Sequence, residues 1–180
     1  MLFALLGAQD ASALGPVDVE VAGVAGGGFP PSGQFDSPIG FGLGARAGVS
    51  FPEVGAYAGL AFVDYYAGNG SCPASFGSDC GVVHAVTYGA EGGYGLRPVR
   101  WLTLRWLLGV GDYAEIVDRT SSSQIHNSPY IAPEMLALVS IGPVLLGADA
   151  GVLITGFGRG PGQHPAGASV MLHAQLGLRF

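Results

Sequence analysis

The chain has 180 residues, enough for one domain with a real core, yet only 11% of them are charged and 49% are apolar, where a typical soluble domain carries about 25% charged residues. Thirty-two glycines argue against long helices, since each interior glycine costs a helix roughly 1 kcal/mol relative to alanine. All seven basic residues are arginine and the net charge is −6, which leaves no basic stripe for a nucleic-acid partner.

MLFALLGAQDASALG opens the chain. Leu2 to Ala8 is a short apolar run, and Ala11-Ser12-Ala13 has the small-x-small form of a cleavage site. A basic start is missing, so the segment reads either as the tail of a secretory signal whose precursor begins before Met1 or as no signal at all. The first is the expectation, with 1–13 a signal remnant and 14–180 one domain.

From there the apolar residues recur at every second place, the period of a strand with one greasy face. Val17 to Gly26 alternates Val17, Val19 and Val21 with Asp18, Glu20 and Ala22. A Gly/Pro/Ser-rich loop over 27–38 follows. Ile39 to Phe51 then sets Phe41, Leu43, Ala45, Ala47 and Val49 against glycines, Arg46 and Ser50. A tight turn at Phe51-Pro52-Glu53-Val54 leads into Val54 to Ala67, rich in β-favouring residues but apolar on both faces at its centre.

The loop over 68–81 holds both cysteines, in NGSCPASFGSDCG. A disulfide between Cys72 and Cys80, stapling an exposed loop in an oxidising compartment, fits this setting best. Two free thiols are the alternative, and a zinc site would need four ligands at tighter spacing.

Val82 to Leu96 places Val86, Tyr88, Ala90 and Tyr94 on one face and Thr87, Glu91 and glycines on the other. After a short turn at Leu96-Arg97-Pro98-Val99, the stretch VRWLTLRWLLGVG sets Leu102, Leu104, Trp106, Leu108 and Val110 against Thr103, Arg105 and Leu107. A third long loop is expected over 118–129. Tyr130 to Ile141 could be drawn as a helix around EMLALVSI, although Pro133 argues for a strand. Gly142-Pro143 turns the chain into Val144 to Ile154, where Gly147, Asp149 and Gly151 oppose an apolar face. A last loop over 158–167 precedes Ala168 to Phe180, which alternates without a slip to the final residue.

Eight strands result, joined by connections that are long and short in strict alternation, so an up-and-down meander gathers the long loops at one end. No window offers the roughly 20 apolar residues of a transmembrane helix. In these features the chain resembles the small eight-stranded bacterial outer-membrane β-barrels, the class of the outer-membrane-protein-A-like transmembrane domain. The resemblance implies an all-β, eight-stranded antiparallel up-and-down transmembrane β-barrel with periplasmic termini and extracellular loops. It implies contact with outer-membrane lipid, both lipopolysaccharide and phospholipid. It also makes Leu176, Leu178 and Phe180 the C-terminal signal read by the barrel assembly machinery. Two aromatic belts should follow: Phe51, Tyr94, Trp101 and Phe180 at the tight-turn end, and Phe41, Tyr65, Tyr66, Tyr113, Tyr130 and Phe157 at the loop end.

Eight strands leave an interior just wide enough for side chains, so a plug is expected rather than a pore. Arg46, Glu91, Arg105, Asp149, His173 and Gln175 are the inward polar candidates at comparable depth, two arginines facing two carboxylates. Such a set is either a satisfied polar core or a proton or ion path. Another use of the fold would be lipid A modification, for which His126-Asn127-Ser128 and Glu134 are the residues to consider, but the tripeptide falls in a Ser-rich loop. A soluble secreted barrel holding an apolar ligand is the other alternative, and it would keep the greasy face inside. No catalytic, metal or cofactor site is expected, and the sequence does not name a partner for the loops.

Overall fold

A computed structural model describes residues 16–29, 39–66, 83–118, 123–156 and 167–180. Residues 1–13 and the Cys72–Cys80 pair lie outside the described residues, as do Phe157 and most of the four long loops. The strands are β1 Asp18–Phe29, β2 Phe41–Phe51, β3 Ala56–Tyr66 and β4 Val83–Val99. They continue as β5 Leu102–Asp118, β6 Ser123–Ile141, β7 Val144–Thr155 and β8 Gly167–Arg179. Each pairs antiparallel with its sequence neighbours, and β8 returns to β1, closing an eight-stranded all-β up-and-down barrel.

Register fixes the shape. Starting at Met135 on β6, cross-strand partners run through Ala150, Leu172, Gly27, Phe41, Tyr66, His84 and Ile116 to Ile125. The path returns to β6 ten residues from where it left, 135 against 125. That stagger requires strongly tilted strands. β4, β5 and β6 are the longest strands, at 17, 17 and 19 residues.

The walls are inverted relative to a soluble barrel. Leu60 and Leu176 on the outside are 66% and 60% exposed, while Arg46 and Arg105 on the inside are 7% and 3% exposed. β8 shows the alternation without interruption: Val170, Leu172, Leu176 and Leu178 face out, and Ser169, Met171, His173 and Gln175 face in. Its end is not loose. Phe180 donates to the Val19 carbonyl at 2.9 Å and accepts from the Val19 N–H at 3.0 Å.

Three expectations need correction. The loop over 118–129 is mostly strand, since β5 continues to Asp118 and β6 begins at Ser123. The hydrophobic alternation stops where Asp112, Glu115 and Asp118 begin, but the backbone ladder does not need it. The turn placed at 96–99 sits instead at Arg100–Trp101, and β4 reaches Val99 through an irregularity after Leu96, where Pro98, lacking an N–H, is tolerated. Finally, Tyr65, Tyr113 and Tyr130 point inward and are buried. Adjacent residues of a strand face opposite sides, so Tyr65 and Tyr66 do not share a belt. Outward at the loop end are Phe29, Phe41, Tyr66 and Tyr88.

Candidate functional site

Inward polar residues gather in two tiers. The middle tier is built around Arg46 of β2, which reaches across the lumen because the inward positions beside it are Gly44 and Gly48. Its Nε lies 2.9 Å from Glu91 Oε2 on β4. Its Nη2 donates to Glu134 Oε2 on β6 at 2.7 Å. Its Nη1 is shared between Asp149 Oδ2 on β7 at 3.3 Å and Gln175 Oε1 on β8 at 3.2 Å. One guanidinium thus holds carboxylates from three strands, the use its fixed fork of five donors suits.

Two tyrosines and a histidine complete this tier. Tyr57 donates to Glu91 Oε1 at 2.7 Å, and its phenol fits only because Gly48 and Gly59 flank it. A Cβ at either glycine would stand 2.5 Å from the Tyr57 hydroxyl. His173 Nδ1 is 2.7 Å from Asp149 Oδ1, and its Nε2 is 2.9 Å from the Tyr65 hydroxyl. Beside Arg46, Tyr65, Glu134 and His173 lies a cavity of about 30 Å³, room for one water.

The second tier lies at the tight-turn end. Arg105 of β5 grips Glu20 of β1 with both terminal nitrogens, at 2.9 and 3.1 Å. Arg179 donates to the same carboxylate at 3.0 Å and to Ser140 at 3.3 Å, and Ser50 donates to it at 3.0 Å. At the lip, Arg97 meets Asp18 at 3.3 Å. The two tiers touch through Tyr57, whose ring lies 4.1 Å under the Arg105 guanidinium.

Of the six residues named from sequence, Arg46, Glu91, Asp149, His173 and Gln175 meet in the middle tier, whereas Arg105 belongs to the lower one. Glu20, Tyr57, Glu134 and Arg179 complete the two tiers and were not among the six. All four have inward strand parity; around Glu20 and Arg179 the alternation is clear enough to have shown it, whereas Glu134 lies in a stretch apolar on both sides. Leu176, Leu178 and Phe180 face outward at the end of β8.

The tripeptide His126-Asn127-Ser128 is corrected from loop to strand, lying on β6. Ser128 points inward, accepts from the Gly156 N–H at 3.1 Å and donates to the Pro129 carbonyl at 3.4 Å. Asn127 faces out, and Glu134 is held by Arg46.

Comparison with solved structures decides the fold. Neisserial surface protein A superposes with a TM-score of 0.64 over 91% of this chain and 97% of its own, at 17% identity. The chain has the fold of the small eight-stranded outer-membrane barrels. A major outer membrane protein from Thermus thermophilus gives 0.65 over 92% of this chain and 100% of its own, at 13% identity. The attachment invasion locus protein of Yersinia pestis gives 0.53 over 91% and 97%, at 12% identity. No protein-family model matches the chain, and no curated protein is similar to it in sequence.

Proposed function

We propose that this protein is an integral β-barrel of a bacterial outer membrane, with a plugged polar interior and a structural or surface-interaction role carried by its extracellular loops. One observation carries the reading: the outer wall presents a broad band of exposed large apolar side chains, while the buried arginine–carboxylate pairs lie inside. Hydrocarbon tolerates a sheet only when every backbone group is paired, which closure achieves. The lumen is crossed by two tiers of ion pairs, so the barrel is read as a plug rather than a conduit.

In this reading the termini are periplasmic, the wall contacts lipopolysaccharide and phospholipid, and Leu176, Leu178 and Phe180 are read by the barrel assembly machinery. The attachment invasion locus protein, a barrel of the same fold, supports a surface role by its name. The reading assigns no reaction to the chain. The inward Ser128 and the Arg46-bound Glu134 favour that assignment over lipid A chemistry.

Heat-modifiable gel mobility of protein extracted from outer membranes in mild detergent tests the reading. A shift between boiled and unboiled samples, from the outer-membrane fraction, is the expected result. Soluble periplasmic protein with no shift would overturn it and return attention to an apolar ligand inside.

A further inference from the structure

The lumen is not filled at its tight-turn end. A cavity of about 60 Å³ lies there, bordered by Ser50, Gly55, Gly95, Arg97, Thr103 and Arg105. It is twice the size of the one beside Glu134, space on the scale of two waters or of one small oxyanion. Gly95, the cross-strand partner of Arg105, helps to keep it open. It contributes no side chain, and a Cβ built there would meet nothing closer than 3.4 Å.

The charges at this end do not balance. Among the described residues, the inward side chains here are Arg97, Arg105 and Arg179 against Asp18 and Glu20, three cations for two carboxylates. The turns add Glu53 and Arg100, both exposed, which cancel. Part of the surplus borders the cavity at Arg97. Its Nη2 donates to Asp18 Oδ2 at 3.3 Å, and the rest of its fork makes no hydrogen bond among the described residues. Thr103 is 5% exposed, and its hydroxyl likewise has no partner among them. A buried hydroxyl left alone costs free energy, so this one is suited to a visitor that accepts from it.

We propose that this cavity binds a small oxyanion of the phosphate type, held by the unused donors of Arg97 and by the Thr103 hydroxyl, with the Arg105 charge behind it. Phosphate oxygens accept from a guanidinium and from a hydroxyl alike, and the charged pairing is the stronger of the two. The anion cancels the surplus positive charge and gives Thr103 the acceptor it lacks. Asp18 and Glu20 are each held by two arginines, so the inward charge that the anion meets is net positive. The site stands on this geometry alone. That its mouth faces the periplasm rests on the outer-membrane reading, which offers two sources of the same chemistry: a free phosphate, or the phosphate of an inner-leaflet headgroup.

The test titrates inorganic phosphate into the folded full chain in a neutral detergent, by calorimetry, with chloride holding the ionic strength constant. Arg97→Gln and Thr103→Val are the variants. The first leaves Asp18 with Arg179 at 3.7 Å, the second keeps the shape of the side chain, and heat-modifiable mobility verifies that each has folded. The parent should bind one phosphate per chain. Each variant should bind about tenfold more weakly or worse, the loss of one hydrogen bond to a charged group. No saturable binding by the parent would overturn the site. Binding unchanged in both variants would overturn it too, by showing an adventitious ion only. Short-chain phosphatidylglycerol then separates the sources: competition with phosphate means that the site accepts a headgroup, and no competition means that it takes the free ion. Phosphate binding by a chain that fractionates as soluble periplasmic protein would keep the site and remove the membrane reading, so the two fail separately.

Discussion

Arg46 and Glu134 lie 2.7 Å apart at mid-height in the lumen, although 88 residues separate them in the chain. The contact exists only because the sheet closes, and the same guanidinium also faces Glu91 and Asp149. Arg46→Leu leaves three buried carboxylates without their shared cation, and stranding a buried charge costs about 3–5 kcal/mol. The urea midpoint of the folded barrel, read by gel mobility, should fall accordingly. Adding Glu134→Gln to Arg46→Leu should recover part of the loss, because one stranded charge is gone.

Arg105→Leu should cost less than Arg46→Leu. Its carboxylate, Glu20, keeps Arg179 at 3.0 Å and Ser50 at 3.0 Å. About 1–3 kcal/mol is expected, the loss of hydrogen bonds to a charged group that retains other partners. Removing Arg179 as well should cost more than the two single changes combined, since Glu20 then loses both cations. A strictly additive double variant in urea unfolding would show that the two arginines do not share Glu20.

Gly48→Ala places a methyl 2.5 Å from the Tyr57 hydroxyl. The neighbouring wall is backbone, so the phenol has to yield and release Glu91. Overpacking of this kind costs about 1–3 kcal/mol. Pairing the change with Tyr57→Phe should recover part of the loss by removing the clashing oxygen. An unchanged urea midpoint in Gly48→Ala would place the phenol elsewhere.

How much of this was legible in the chain depends on which physical rule governs each feature. Strand parity is local, so Arg46, Asp149, His173 and Gln175 could be assigned to the inside from alternation alone. Partner choice across the lumen is not local. Arg105 stands three residues into β5 and Glu20 two into β1, while Arg46 is five residues from the end of β2. That difference in depth from the tight-turn end separates the tiers. Glu134 follows Pro133 in a stretch apolar on both sides, where alternation is too weak to mark an inward carboxylate. The upper parts of β5 and β6 gave no apolar pattern because one of their faces has no hydrocarbon to meet in the membrane reading.

The same reading makes opposite demands on two leucines. Leu60 faces out and is exposed, whereas Leu136 is fully buried inside, in a cluster with Tyr57, Leu107 and Leu138. Leu136→Ala opens a cavity and should cost about 2–5 kcal/mol in any solvent. Leu60→Arg should be tolerated by a water-soluble barrel, yet cost ~2–4 kcal/mol when the site lies near the bilayer midplane. Unfolding both variants by urea from phosphatidylcholine vesicles separates the cases. Two comparable losses mean that Leu60 touches hydrocarbon and Leu136 touches protein. A loss confined to Leu136→Ala would mean that the exposed wall meets water, and that its apolar side chains have some other cover.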